Sequence, residues 1–292
     1  MSVAVVEIGG TSVKIGFGVG GRPSDVTRTF PTSGIRTADP AAALAAMVRE
    51  AGAAAGLSAT RVVATVPGFL DRDFDTVLHA KNVPELDGHA IASELSAALS
   101  LPVLLERDVV LQLLGEARAG AVAGQAEVLA VYLGTGIGAA YLGAGGIFRG
   151  GGWALEIGHM PMRPASPLAR PESLEHHASG AALAALAERH GIDVRAVFLD
   201  HDEPALREAL DTMLRDLAIA MVATLALFSP RRLLIGGGVA EMDGFPREKL
   251  ADKIAECLPS DRGVQAPEII YSALGWQAAI WGALALDERG RG

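Results

Sequence analysis

Short apolar runs closed by glycine or proline alternate along this chain with longer segments in which alanine and leucine recur at helical spacing. Val3 to Ile8 reads as a buried strand, Gly9-Gly10-Thr11 as a tight turn and Ser12 to Val19 as a returning strand, because glycine tolerates the positive φ of a hairpin turn. Asp39-Pro40 has the form of an N-cap and first helical residue, an Ala-rich run follows, and Gly56 closes it. Arg61 to Val66 is then a strand ended by Pro67-Gly68. Asp87 stands where it could cap a helix over His89 to Leu99, and the short strand Val103 to Glu106 leads to Asp108 at the start of another helix.

The opening pattern then returns. Val128 to Leu133 is a strand, Gly134-Thr135-Gly136 a turn and Ile137 to Leu142 a returning strand. Later segments read as helices near Ser179 to Arg189 and Pro204 to Phe228, a strand at Arg232 to Ile235 running into Gly236-Gly237-Gly238, a capped helix, a strand at Glu268 to Tyr271 and a last helix from Trp276. Met160 to Pro171, with four prolines and little periodicity, reads as an irregular loop. Strand-turn-strand units followed by alternating helices and strands predict an α/β protein with two mixed sheets, and a cleft between duplicated halves is the natural ligand site. The division expected is a smaller N-terminal domain, 1–107, completed by a C-terminal helix at about 276–292, and a larger domain, 108–275.

Composition narrows the function. Half of the 292 residues are apolar, so the chain can bury a large core. A net charge of −9 with no basic stripe would repel a phosphate backbone, which argues against nucleic-acid binding. Cys257, the single cysteine, allows no intrachain disulfide and reads as a small buried hydrophobe. Neither a signal peptide nor a membrane-spanning run is legible, so a cytoplasmic enzyme without membrane partners is expected.

Several motifs admit two readings. Each glycine turn offers closely spaced N–H groups suited to phosphate oxygens, and two turns at equivalent places favour that reading over ordinary hairpins. Gly16 to Gly21 formally matches a dinucleotide fingerprint but ends a hairpin and opens no helix, so it is rejected. Gly236-Gly237-Gly238 either lets backbone approach a flat ligand or is a plain strand-to-helix turn. Asp71, Asp73 and Asp75 alternate like calcium ligands but lack the Gly and Glu of such a loop, so they read as a solvated turn. Asp108 is either a helix cap or a base at a strand end. Glu156 and His159 suit sugar hydroxyls or form a structural pair. His176-His177 read as a solvated helix start.

Taken in order, Glu7-Ile8-Gly9-Gly10-Thr11, Val66-Pro67-Gly68, Asp108, Leu133 to Gly138, Glu156-Ile157-Gly158-His159 and Ile235 to Gly238 resemble the ROK family of sugar kinases over nearly the whole chain. Within it, Arg107-Asp108-Val109 with Leu111-Gln112-Leu113, and Phe245-Pro246-Arg247-Glu248, look like the D-allose kinase branch. The resemblance implies an actin-like (ribonuclease H-like) duplicated fold, with ATP, Mg²⁺ and a hexose meeting in the interdomain cleft of a homodimeric enzyme. It places Gly9, Gly10, Thr11, Gly134, Thr135 and Gly136 at the ATP phosphates, Lys14 nearby and Gly237 and Gly238 at the nucleoside. Gly68, Asn82, Arg107, Asp108, Glu156, His159 and Glu175 would contact the sugar, with Asp108 taking the proton of its 6-hydroxyl.

Three departures qualify that pattern. Glu7 stands where the family usually has an Asp near magnesium, so a longer carboxylate would reach the ion directly or through water. Arg107 replaces an Asn, exchanging an amide for a donor-only cation. No cysteine follows His159, so the structural zinc of many members is not expected. D-allose is the leading substrate, with glucose and N-acetylmannosamine as alternatives. The rival classes are a sugar-responsive regulator, disfavoured because those members carry an N-terminal DNA-binding domain before the first hairpin, and a sugar-binding protein that has lost catalysis.

Overall fold

Val3 to Val6 offer water no polar side chain on either face, and in the computed structural model each is at most 1% exposed at the centre of a sheet. The structure describes residues 2–162, 170–259 and 263–289. Next to β1 (Ser2–Ile8), β2 (Ser12–Val19) and β3 (Arg22–Pro31) continue an antiparallel meander, and β4 (Arg61–Thr65) pairs on the other side in parallel. A separate ribbon joins β5 (Phe69–Leu70) to β6 (Val77–His79), and β7 (Val103–Glu106) completes the first sheet in the order β3-β2-β1-β4-β7. Its helices are α1 (Pro40–Ala55), α2 (Ile91–Leu99) and α3 (Asp108–Ala119).

The second half repeats this scheme strand for strand. Sheet order is β10-β9-β8-β11-β12, built from β8 (Val128–Leu133), β9 (Ile137–Gly143), β10 (Gly146–Ile147), β11 (Arg232–Gly236) and β12 (Glu268–Tyr271). As in the first sheet, the hairpin partner of the central strand is antiparallel and the two strands on its other side are parallel. The helices are α4 (Leu174–Ala178), α5 (Gly180–Arg189), α6 (Pro204–Phe228) and α7 (Arg247–Cys257); α8 (Gln277–Arg289) follows and belongs with the first sheet. Leu214, Leu217, Met221 and Leu225 give α6 a buried face in the second core. Among the described residues, no helix is long and apolar enough to cross a membrane.

Two compact units result. One holds the chain up to Gly124, Gly146–Ala154 and the residues from Ala273 onward; the other holds Gln125–Gly145 and Leu155–Ser272. The division at residue 107 expected from sequence is therefore corrected, because α3 belongs with the first sheet and with α8. A Cβ built on Gly115 would lie 2.0 Å from the Ala278 carbonyl oxygen, and one on Gly282 would lie 1.9 Å from that of Leu111. The two helices thus cross backbone to backbone, a separation only glycine permits. Fully buried Glu116 ties the same joint, its carboxylate accepting the N–H groups of Ala273 and Leu274, both at 2.8 Å, and of Ala121 at 2.7 Å.

Local signals hold where the capping chemistry is short-range. Asp39 accepts the Ala42 N–H at 2.9 Å, Pro40 opens α1, and Gly56 closes it at φ +65°. Asp87 differs from expectation: it caps no helix but accepts the Ala80 N–H at 2.6 Å, while Glu94 reaches back to the Ala90 N–H at the start of α2. Asp71 takes the N–H groups of Asp75 and Thr76, closing the turn between β5 and β6. Cys257 is exposed rather than buried, since the last turn of α7 directs Lys253 and Ile254 inward instead. Residues 163–169 of the expected Met160 to Pro171 loop lie outside the described residues.

The crossing of α3 and α8 generates a stability prediction. Gly282→Ala should lower the unfolding free energy by about 1–3 kcal/mol, the usual cost of overpacking a close contact. Chemical denaturation would measure it, and an unchanged midpoint would refute the backbone contact.

Candidate active site

The carboxyl ends of parallel strands are where open α/β sheets present ligand-binding groups. In the first unit, Glu7 of β1, Thr65 of β4 and Glu106 of β7 pair side by side at that end. The Thr65 hydroxyl there is buried and has no hydrogen-bond partner among the described residues. Beyond β1, the Gly9 N–H donates to the Ser12 carbonyl at 2.9 Å, and Thr32 clamps the turn, donating from its hydroxyl to the Gly9 carbonyl (2.7 Å) and from its N–H to that of Thr11 (3.0 Å). Asn82 lies against Gly10, where an added Cβ would stand 3.0 Å from the Asn82 Cβ. Gly68 presses on the next loop so closely that a Cβ would meet the His79 carbonyl oxygen at 2.0 Å.

Asp108 is the first residue of α3, and its Oδ1 accepts the Val109 N–H at 2.7 Å. The helix N-terminus favours a negative charge there. The side chain is exposed and so can meet a ligand. Even so, the surrounding protein pushes its pKa above the ordinary carboxylate value, opposed by the Val109 N–H and by the charge of Arg107. Burial also raises Glu7, Lys14 lowers it, and Asp108 raises it again. Two carboxylates therefore share one field. The Lys14 ammonium lies 3.6 Å from Glu7 Oε2 and 4.7 Å from the centre of the Trp276 ring.

Glu106, Arg107 and Arg149 complete this end of the first sheet. Glu106, 2% exposed, accepts the Arg107 N–H at 3.0 Å through Oε1 and Arg149 Nη2 at 2.5 Å through Oε2. Arg107 donates from Nη1 to the Ala154 carbonyl at 2.5 Å. Sequence reading missed Glu106 and Arg149; the one available signal was a carboxylate closing the otherwise apolar strand Val103 to Glu106.

The second unit gathers the other candidates. The Gly134 N–H donates to the Gly136 carbonyl at 3.0 Å, and the first turn of α5 donates from Gly180 to the Gly134 carbonyl (2.8 Å) and from Ala181 to that of Thr135 (3.2 Å). Gly237 adopts φ +90° with its Cα against the backbone of Leu133, so the triple glycine lies beside the same strand end. Glu175, on α4, is brought to both motifs: Oε2 would lie 2.9 Å from a Cβ on Gly136 and 3.4 Å from one on Gly158, inside the Glu156 to His159 segment. That segment is one short turn in which the His159 N–H donates to the Glu156 carbonyl at 3.0 Å. Gly238 and His159 are exposed. Glu172 stands 3.5 Å from His176 Nε2 and 3.3 Å from His177 Nε2, a surface pairing at the start of α4.

The chain as a whole is similar to proteins already known. The ROK family sequence profile matches residues 3–289. The chain belongs to the ROK family. This ROK protein is 31% identical over 246 residues to the bifunctional enzyme NanE/NanK of Brucella melitensis, covering 80% of itself but 46% of that protein, so it spans about half the length of that relative. It is 28% identical over 247 residues to the glucokinase of Thermotoga maritima, covering 75% of itself and 76% of that enzyme. The solved ROK hexokinase of Thermus thermophilus superposes with a TM-score of 0.80 at 27% identity, over 98% of this chain and 97% of that one. The fold is thus the actin-like, ribonuclease H-like duplicated α/β fold.

The paired carboxylates can be tested directly. In a carbon-13 NMR titration Glu7 and Asp108 should protonate at higher pH than ordinary carboxylates, and Lys14→Met, removing a charge that lowers Glu7, should move Glu7 further up. A downward shift of Glu7 in that variant would contradict the geometry described.

Proposed function

We propose that this protein is an ATP-dependent sugar kinase that transfers the γ-phosphoryl group to the 6-hydroxyl of a hexose. The observation that carries the reading is Asp108: a solvent-reached carboxylate at a helix N-terminus, within the field of Glu7 and beside Arg107. In this reading Asp108 accepts the hydroxyl proton as the oxygen attacks phosphorus, and Gly68, Asn82, Arg107, Glu156, His159 and Glu175 hold the sugar. Gly9, Gly10, Thr11, Gly134, Thr135 and Gly136 face the phosphates, with Lys14 adding positive charge and Gly237 and Gly238 approaching the nucleoside. Phosphoryl transfer needs little covalent chemistry from the protein, so positioning and charge complementarity supply most of the catalysis.

Magnesium usually keeps several waters and takes one or two protein carboxylates besides substrate phosphates. Glu7 fits that requirement, because its ion pair with Lys14 is partly exposed and weak enough to yield. The ion would neutralise phosphate charge when bound. D-allose is the sugar we place first, supported by the resemblance of Arg107-Asp108-Val109 and Phe245 to Glu248 to that branch, with glucose and N-acetylmannosamine as alternatives. The relatives named for glucokinase and hexokinase activity support hexose phosphorylation in general. We place the enzyme in the cytoplasm as a homodimer.

A coupled ADP-release assay with Mg-ATP and allose, glucose, mannose, fructose, N-acetylglucosamine and N-acetylmannosamine should give the highest kcat/KM with allose. Preference for another sugar would overturn that choice alone, and silence with every sugar would overturn the kinase. Asp108→Asn should lower kcat by about 10²- to 10⁴-fold, the usual worth of a general base, while sugar binding by calorimetry is retained. Because the protein around its partly solvated carboxyl raises Asp108, the acidic limb of kcat/KM should lie above its ordinary value of 3.8. Activity is lost as pH falls through the raised pKa and the base takes up its proton.

A further inference from the structure

The residues around Glu106 join two stretches far apart in sequence. Arg149 follows β10, yet it donates to Glu106 at the end of β7 and lies over the Phe74 ring, 5.9 Å from its centroid. Five residues later, the Ala154 carbonyl accepts from Arg107. Between them the Gly152 N–H donates to the Arg149 carbonyl at 3.1 Å, and Gly152, at φ +110°, seats its Cα where a side chain would stand 3.4 Å from the Leu70 carbonyl oxygen and 3.3 Å from that of Asp71. Arg149 to Ala154 is therefore a strap buckled at both ends onto the peptide that leads from β7 into α3.

That peptide decides where Asp108 points. Glu106 Oε1 holds the Arg107 N–H, and Arg107 is the last residue before α3, at φ −75° and ψ 140°. A rotation there would swing the first turn of the helix and its carboxylate. An apolar side chain at 106 could fill the same volume, but it could not accept that N–H and a guanidinium at once. Removing either partner leaves a buried charge or a buried N–H unsatisfied.

We propose that Glu106 and Arg149 are positioning residues, an ion pair that fixes the Glu106–Arg107 peptide at the entry to α3 and so aims the base at the sugar hydroxyl. This rests on Asp108 being the base. Neither residue touches substrate in this assignment; each acts through the peptide it holds. Misplacement of a catalytic group by about 1 Å costs on the order of a hundredfold, which sets the scale of the effect.

The test compares R149A, R149K, E106Q and D108N in the full chain, measuring ADP release with the panel sugar that turns over fastest and thermal unfolding in parallel. R149A should lower kcat by about ten- to a hundredfold at a temperature where it is folded, with KM for ATP unchanged. R149K, which keeps the cation but loses the planar fork, should recover part of that loss. E106Q should lower kcat as well, and the double variant E106Q/R149A should fall no further than R149A, because the two act as one unit. Wild-type kcat per folded molecule in R149A overturns the proposal, as does a double variant whose losses multiply. If R149A does not fold, the nearly isosteric E106Q decides, and a wild-type kcat there also overturns it. Loss in D108N beside wild-type kcat in R149A and E106Q would sink the positioning alone, whereas wild-type turnover by D108N would remove the base and this proposal together.

Discussion

Everything at the first unit's strand ends depends on how α3 is seated. Its N-terminus carries Asp108, its middle crosses α8 at Gly115 and Gly282 with no side chain between the backbones, and its buried Glu116 grips the peptides of Ala273 and Leu274. A buried carboxylate that accepts three N–H groups is fully compensated, so it holds the joint without an orphan charge. The helix cannot slide on α8 without driving one backbone into another. Asp108 is thereby seated from behind by the packing of its helix, and the residue before it is held by the Glu106 carboxylate.

The duplication supplies the rest. Both sheets place a hairpin against a parallel pair in the same order, so each produces a glycine turn just beyond a central, largely apolar strand. The turns are braced differently. Thr32 clamps the first through its hydroxyl and N–H, whereas the second is clamped by the first turn of α5 through Gly180 and Ala181. In each case the carbonyls of the turn are spent on the protein. This orientation fits the phosphate role proposed for the N–H groups.

Charge at the first site is closely balanced. Glu7, Glu106 and Asp108 sit at one end of a sheet, opposed by Lys14, Arg149 and Arg107. Arg107 fits this arrangement, because its charge lowers the pKa of Asp108 where the surrounding protein raises it, and the same guanidinium reaches the Ala154 carbonyl. In the function proposed, one side chain would then bear on both the sugar contact and the ionisation of Asp108.

Local chemistry was legible in the sequence wherever a few neighbouring residues decide the outcome. The run Val3 to Ile8 with its glycines, the repeat at Val128 to Gly136, the cap at Asp39 and the long helix Pro204 to Phe228 were all visible, because burial on both faces, positive φ and capping are short-range requirements. The edge strand β3 escaped because its residues, from Arg22 to Pro31, are half-exposed and carry no clean alternation. Asp87 misled because its carboxylate found a closer partner in the Ala80 N–H than in any helix. Asp108 could be named from sequence as a candidate at a strand end, but not the field in which it ionises. The placement of α3 with the first unit, the buckle of Arg149 to Glu106 and the approach of Glu175 to Gly136 joined residues 39 to 171 positions apart only once the chain was folded. Sequence spacing carries no information about such contacts, since their geometry is set by how helices and sheets pack, and packing is a property of the whole chain.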